Sequence, residues 1–192
     1  MNRLIIIGAG GHGRVVADAA SVPAVFLDED TSQEGVIGKP NELSAVTSND
    51  DGVVVAIGDN STRLQMLGGI KQATTIVHES SVVGNAVTLG AGTVVFAGAI
   101  INAYATLGIG CIVNTGATVD HDCQLADGVH ISPGANLGGN VTVGECSWIG
   151  IGACVKHGVT IGKNVVVGAG AAVVQDVPDN VTVVGVPAKE LT

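Results

Sequence analysis

One apolar residue in every six, held without a miss from Val83 to Val173, constrains this chain more than any other feature. Val83, Leu89, Val95, Ile101, Leu107 and Val113 open a series of sixteen positions that Val155, Ile161, Val167 and Val173 close. The residue four places on is mostly small, as at Thr93, Ala99, Ala105, Cys111, Ala117 and Cys123. A helix would repeat its apolar stripe every 3.6 residues and a strand every second residue, so neither accounts for the run. A fixed period of six is the signature of a hexapeptide β-helix, in which about eighteen residues make one triangular coil; the run then holds about five coils.

Composition agrees with a narrow, thinly layered interior. Aromatic residues make up 2% of the chain, whereas there are 29 glycines to serve tight corners. A net charge of −9 and a pI near 4.7 argue against nucleic acid as a partner, since that needs basic patches. No apolar run approaches the roughly 20 residues of a membrane span, and Leu4 to Ile7 is too short for a leader. No membrane partner and a cytoplasmic location are therefore expected. The four cysteines lack zinc or redox spacing and are expected to be buried free thiols in a reducing compartment.

Residues 1–75 do not share the period of six and read as a separate α/β lobe, with 76–192 forming the β-helix and a terminal cap. Leu4 to Ile7 reads as a strand, and a helix is expected from about Arg14 to Ala20. Val25 to Leu27 and Val53 to Ile57 read as further strands. A short helix is expected over Asn41 to Val46, and Ser61 is expected to cap another through about Lys71. Strands alternating with helices predict a small Rossmann-like parallel sheet. Gly8, Gly10 and Gly13 fit G-x-G-x-x-G between strand and helix, a pattern whose backbone N–H groups cradle a diphosphate. The same glycines would also suit a bare tight turn. Only one such half precedes the coil, which suits a single nucleoside diphosphate better than a dinucleotide. Candidate ligand positions beyond the carboxyl ends of the strands are Gly10, Gly11, His12, Asp28, Gly58, Asp59 and Asn60.

Inside the repeat, the informative departures are polar corner residues: Asn114 after Val113, and Asp120-His121-Asp122 after Val119. A histidine flanked by carboxylates can be oriented as a general base, although a solvated corner would carry the same residues. His157 lies 36 residues, two coils, beyond His121. That spacing resembles part of the zinc site of gamma-class carbonic anhydrases. The third histidine of that family would fall at Gly162, so no metal is expected.

Taken together, G-A-G-G-H-G, an N-T-x-x-x-V-D-H-D-C run from Asn114 to Cys123 and a terminal G-V-P-A-K resemble the sialic-acid O-acetyltransferase-like acyltransferases. Within them the chain is most similar to the nucleotide-activated 4-amino-sugar N-acetyltransferases of the bacillosamine type. The resemblance implies a left-handed coil, a homotrimer with sites between neighbouring coils, and acetyl-CoA as co-substrate. It implies His121 as base, Asp122 as its acidic partner and Asn114 as a further active-site residue. His130, Gly139 (whose N–H would meet the acetyl carbonyl) and Ile151 are implied along the acetyl-CoA path. Gly10, Gly11, His12, Asp28, Gly58, Asn60 and Arg63 are implied at the nucleotide sugar. The implied reaction is N-acetylation of a nucleotide-linked 4-amino-4,6-dideoxysugar; alternatives are sugar O-acetylation or a non-catalytic nucleotide-sugar-binding trimer.

Overall fold

The computed structural model describes residues 1–191, so Thr192, the last residue of the expected second domain, lies outside the described residues. The chain builds an α/β lobe first. Leu4–Ile7 (β1) is wholly buried and pairs in parallel with both Ala24–Leu27 (β2) and Gly52–Val55 (β4). Four apolar residues with no polar alternation suit a strand covered on both faces. Val36–Gly38 (β3), which the sequence reading left without structure, joins the far side of β2 across a shift in register, giving the order β3-β2-β1-β4. Two apolar residues after a polar stretch carry no strand signal of their own; the open edge of β2 recruits them.

Helix α1 spans Gly11–Ala19 and starts three residues earlier than expected. Packing overrides weak helix formers here. A side chain at Gly13 would run into the Gly8 carbonyl, so glycine lets the first turn sit directly on the end of β1. After a 3-10 turn at Pro40–Glu42 comes the short helix α2, Leu43–Val46. Helix α3 covers Asn60–Leu67. Its cap is Asp59, not Ser61: the Asp59 carboxylate accepts the Thr62 N–H at 2.8 Å. It also ends before Lys71, because Gly68 and Gly69 follow Leu67.

The coil begins at Ile76–Val77, one repeat before Val83, with Val77 already on the six-residue register. Its strands are two residues long and stack into three parallel sheets. The first face carries Val94–Val95, Ile112–Val113, His130–Ile131 and Trp148–Ile149. The second carries Ile100–Ile101, Thr118–Val119, Asn136–Leu137 and Cys154–Val155. The third carries Thr106–Leu107, Gln124–Leu125 and Thr142–Val143. In each pair the second residue points inward, and the register residues Val95, Ile101, Leu107, Val113, Val119 and Ile131 form one continuous core with small residues such as Ala99, Ala117 and Cys123. At the far end Val166–Val167 pairs with Thr182–Val184, which Lys189–Glu190 covers in antiparallel fashion. That closes an edge that would otherwise invite pairing with another chain.

The lobe rests on the first face. A second core joins Leu4, Ile6, Val16 and Val54 of the lobe to Val94, Phe96 and Ile112, which point outward from the coil. This leaves three long edges between faces: one at residues 114–117 between the first and second faces, one at 120–123 between the second and third, and one at 126–129 between the third and first. Each recurs every 18 residues along the prism.

Candidate active site

His121 stands on the edge between the second and third faces, and its side chain is about half exposed (54%). Asp122 has a left-handed backbone (φ 58°), which turns its carboxylate back towards the ring it follows. Its Oδ2 lies 2.7 Å from His121 Nδ1. A carboxylate can only accept, so Nδ1 carries the proton and donates it, leaving the Nε2 lone pair free. The hydrogen bond to Asp122, helped by the charges of Asp120 and Asp122, raises the His121 pKa above its ordinary value. Asp120 has a different task. Its Oδ1 accepts from Asn102 Nδ2 at 2.7 Å and from the His121 N–H at 2.8 Å, fixing the corner. The Asn102 bond first, then the His121 N–H, holds the Asp120 carboxyl below its usual range.

Gly139, one coil on, forms the floor under the ring. A Cβ there would lie 2.5 Å from His121 Nε2 and 2.6 Å from Cε1. The room it leaves beneath Nε2 is its clear contribution. Cys123, two residues from His121, is no nucleophile. Its buried thiol donates to the Gly138 carbonyl, and burial pushes its pKa up.

Asn114, expected as a further active-site residue, sits one edge away from His121. Its Oδ1 accepts the Thr115 N–H at 2.9 Å, and its amide meets His130 Nε2 at 3.2 Å. Because an amide N–H donates, His130 Nε2 accepts, and its Nδ1–H is buried without a protein partner. The His130 ring stacks on Trp148 (centroids 5.2 Å apart, 9° between planes), and Trp148 Nε1 donates to Ser132 Oγ at 2.6 Å. His12, in the first turn of α1, meets Phe96 edge-on at 5.5 Å, and its Nε2 is also buried without a partner. Burial, then the Arg63 charge, lowers the His12 pKa to about 4; burial, Arg63 and His12 lower that of His130 to about 3. Both rings are therefore neutral near pH 7. Ile151 is exposed (62%) and lies on the same edge, two coils beyond Thr115.

The carboxyl ends of β1, β2 and β4 border a cavity of about 220 Å³, lined by Gly8, Leu27, Asp28, Glu29, Ile57 and Met66 among others. Asp28 holds the glycine loop: Oδ2 accepts the Ala9 N–H at 2.7 Å and Oδ1 the Asp30 N–H at 3.0 Å. A side chain at Gly10 or Gly58 would meet open space, so the loop backbones there are free to approach a ligand. Gly11 is exposed beside them. Asn60 and Arg63 do not face this cavity. Both are buried, and all their donors go to protein acceptors in the joint between lobe and coil, which corrects their expected place at the substrate.

The cysteines are all free, but only Cys111 and Cys123 are buried; Cys146 is half-buried and Cys154 exposed, because their positions fall at a corner and on the outer side of a face. Among the described residues no group of three or more His, Cys, Asp or Glu is placed to hold a metal ion, and no helix is long and apolar enough to cross a membrane. Asn102, Ser132 and Trp148 escaped the sequence reading. The 18-residue period would have found them, since they lie one coil from Asp120, Asn114 and His130.

Comparison with known proteins places both parts of the chain. Residues 3–69 match the PglD N-terminal domain and residues 140–175 the bacterial transferase hexapeptide (six repeats). The acetyltransferase domain of PglB from Neisseria gonorrhoeae, solved with acetyl coenzyme A, is 43% identical over all of both chains with a TM-score of 0.95. The chain belongs to this acetyltransferase family. Its coil is accordingly the left-handed β-helix of hexapeptide-repeat acetyltransferases. PerB from Caulobacter crescentus, solved with CoA and GDP-perosamine, is 39% identical with a TM-score of 0.94, covering 100% of this chain and 98% of that one. The UDP-N-acetylbacillosamine N-acetyltransferase of Bacillus subtilis (strain 168) is 38% identical over 109 residues. That match spans about half of each protein, 48% of this chain and 50% of the relative.

Proposed function

We propose that this protein transfers the acetyl group of acetyl-CoA to the 4-amino group of a nucleotide-linked 4-amino-4,6-dideoxysugar, and that it does so as a homotrimer. The observation that carries the chemistry is the His121–Asp122 pair at 2.7 Å, with Nε2 free over the floor of Gly139. The neutral amine attacks the thioester carbonyl, forming a C–N bond. His121 Nε2 takes the amine proton, the C–S bond breaks, and the proton passes to the departing thiolate. Asp122 keeps the ring in the reactive tautomer. A thioester is already activated, and the one thiol near His121 is turned inward, so transfer is direct. In PerB the bound ligand is GDP-perosamine; the cavity at Asp28 and the open backbone at Gly10 and Gly58 offer a nucleoside diphosphate the corresponding place here.

Where the parts lie supports the trimer. The lobe sits over the first face, whereas His121 stands on the edge opposite that face, so the prism separates a chain's nucleotide lobe from its own base. His12, Asn114, His130 and Ile151 line the neighbouring edge. A threefold ring that sets this edge against the His121 edge of the next copy assembles one complete site at each boundary. Free thiols at Cys146 and Cys154 and a thioester co-substrate favour the reducing cytoplasm.

Steady-state kinetics on His121→Ala test the chemistry. kcat should fall by on the order of 10² or more with nucleotide-sugar affinity unchanged. Near-wild-type kcat removes His121 from the mechanism. Mass spectrometry of products from amino-sugar nucleotides and from sialic acid separates N- from O-acetylation.

A further inference from the structure

Among the described residues Arg63 is the largest fully buried side chain, at 1% exposure, and no carboxylate pairs with it. Its donors are spent as follows. Nη1 donates to the carbonyls of Ile57 (3.0 Å) and Gly58 (3.3 Å), the loop beside the lobe cavity. Nε donates to the Gly110 carbonyl and Nη2 to the Gly128 carbonyl, each at 2.8 Å. Nη2 also donates to Asn60 Oδ1 at 2.8 Å, and Asn60 Nδ2 donates to the Cys146 carbonyl at 2.9 Å. Gly110, Gly128 and Cys146 are 18 residues apart on one edge of the prism, so the pair reads the same corner in three successive coils. All three corners have positive φ. Leu64 of α3 lies so close that a Cβ at Gly128 would be 2.8 Å from its Cδ1.

Apolar contact between α3 and the corner would by itself hold the lobe down, but such contact tolerates sliding. A buried guanidinium is a costly means of adhesion, and its planar, fixed set of donors is suited to setting register. We infer that Arg63 and Asn60 are positioning residues for the reaction: a clamp that fixes the nucleotide loop of the lobe to three coils of the prism and so aims the sugar amine at the acetyl group. This rests on the proposed transfer reaction. A misplacement of about 1 Å in such a system costs up to roughly 100-fold in rate.

The test uses full-length Asn60→Ala, which removes only the clamp on the third coil and one Arg63 acceptor, alongside Arg63→Met, which removes the fork. For Asn60→Ala the inference expects kcat to fall by about tenfold, while the Kd values for acetyl-CoA and for the nucleotide sugar stay within about twofold by calorimetry. Arg63→Met should lower kcat further; should it fail to fold, Asn60→Ala decides alone. A rise in nucleotide-sugar Kd in Asn60→Ala, with kcat unchanged, overturns the inference in favour of substrate binding. Wild-type kcat in a folded variant overturns it in favour of stability alone. A second readout needs no catalysis: Cys146, half-buried at the joint, should react faster with a thiol reagent in both variants, measured by mass spectrometry against exposed Cys154. If wild-type protein acetylates no amino-sugar nucleotide, the proposed reaction fails, and the Cys146 rate then upholds or overturns the clamp by itself.

Discussion

Lowering the pH from about 7.5 to about 5 should weaken this fold through His12 and His130. Each takes up a proton with a pKa near 6.5 once unfolded. In the native state burial, with the Arg63 charge behind it, postpones protonation to about pH 4 for His12 and about pH 3 for His130. A depressed folded pKa contributes stability that is present above the unfolded value and lost as pH falls towards the folded one. Over this window the unfolded state gains nearly one proton at each site and the native state almost none, which removes about 2 kcal/mol per ring, or about 4 kcal/mol together. The depressed carboxylates barely contribute here. Asp51, held down to about 2 by Arg3, and Asp120 have unfolded values near 3.8 and act at lower pH. His121, with its raised pKa, has the opposite sign: it stabilises the acidic side and offsets part of the loss. Urea unfolding at fixed protein concentration, followed across this range, measures the drop. A His12→Phe/His130→Phe double variant keeps both ring contacts and should flatten the profile by about 4 kcal/mol. A wild-type drop below about 1 kcal/mol, or a double variant as steep as wild type, would refute the reasoning.

Two further outcomes follow from the edge that carries His121. Gly139→Ala puts a methyl group 2.5 Å from Nε2, so the ring must swing off its floor; kcat should fall by on the order of 10-fold or more with the fold intact, and an unchanged kcat would show that the ring has room to spare. Sites shared between copies should complement. Co-expressing a His121→Ala chain with a chain impaired in the lobe by His12→Ala should restore activity that neither has alone, and absence of recovery in mixed trimers would place the whole site within one chain.

The period of six made the prism legible from sequence because every coil solves the same packing problem with the same residue types. Val95, Val113 and Ile131 need no partner beyond their own repeat to declare an inward position. The Asp120-His121-Asp122 corner was legible for a similar reason: the acid that orients the ring is its immediate neighbour. Errors gathered where packing against a neighbouring element sets the boundary. Val36–Gly38 becomes a strand because β2 has an open edge, and α1 starts at Gly11 because Gly13 fits the Gly8 carbonyl.

The sequence by itself determined the coil and its dimensions and set His121 between two carboxylates, since each is written in local residues or in a fixed short period. Where the lobe rests on the coil was decided only in three dimensions. The lobe docks on the first face through Val94, Phe96 and Ile112, outward residues whose burial no period announces. That docking turns Asn60 and Arg63 from expected substrate contacts into a buried joint and leaves His12 and His130 neutral and enclosed. The physical reason is the same in each case: burial and hydrogen-bond partners depend on what lies across the interface, and the hydrogen-bonded segments there are 47 to 86 residues apart along the chain.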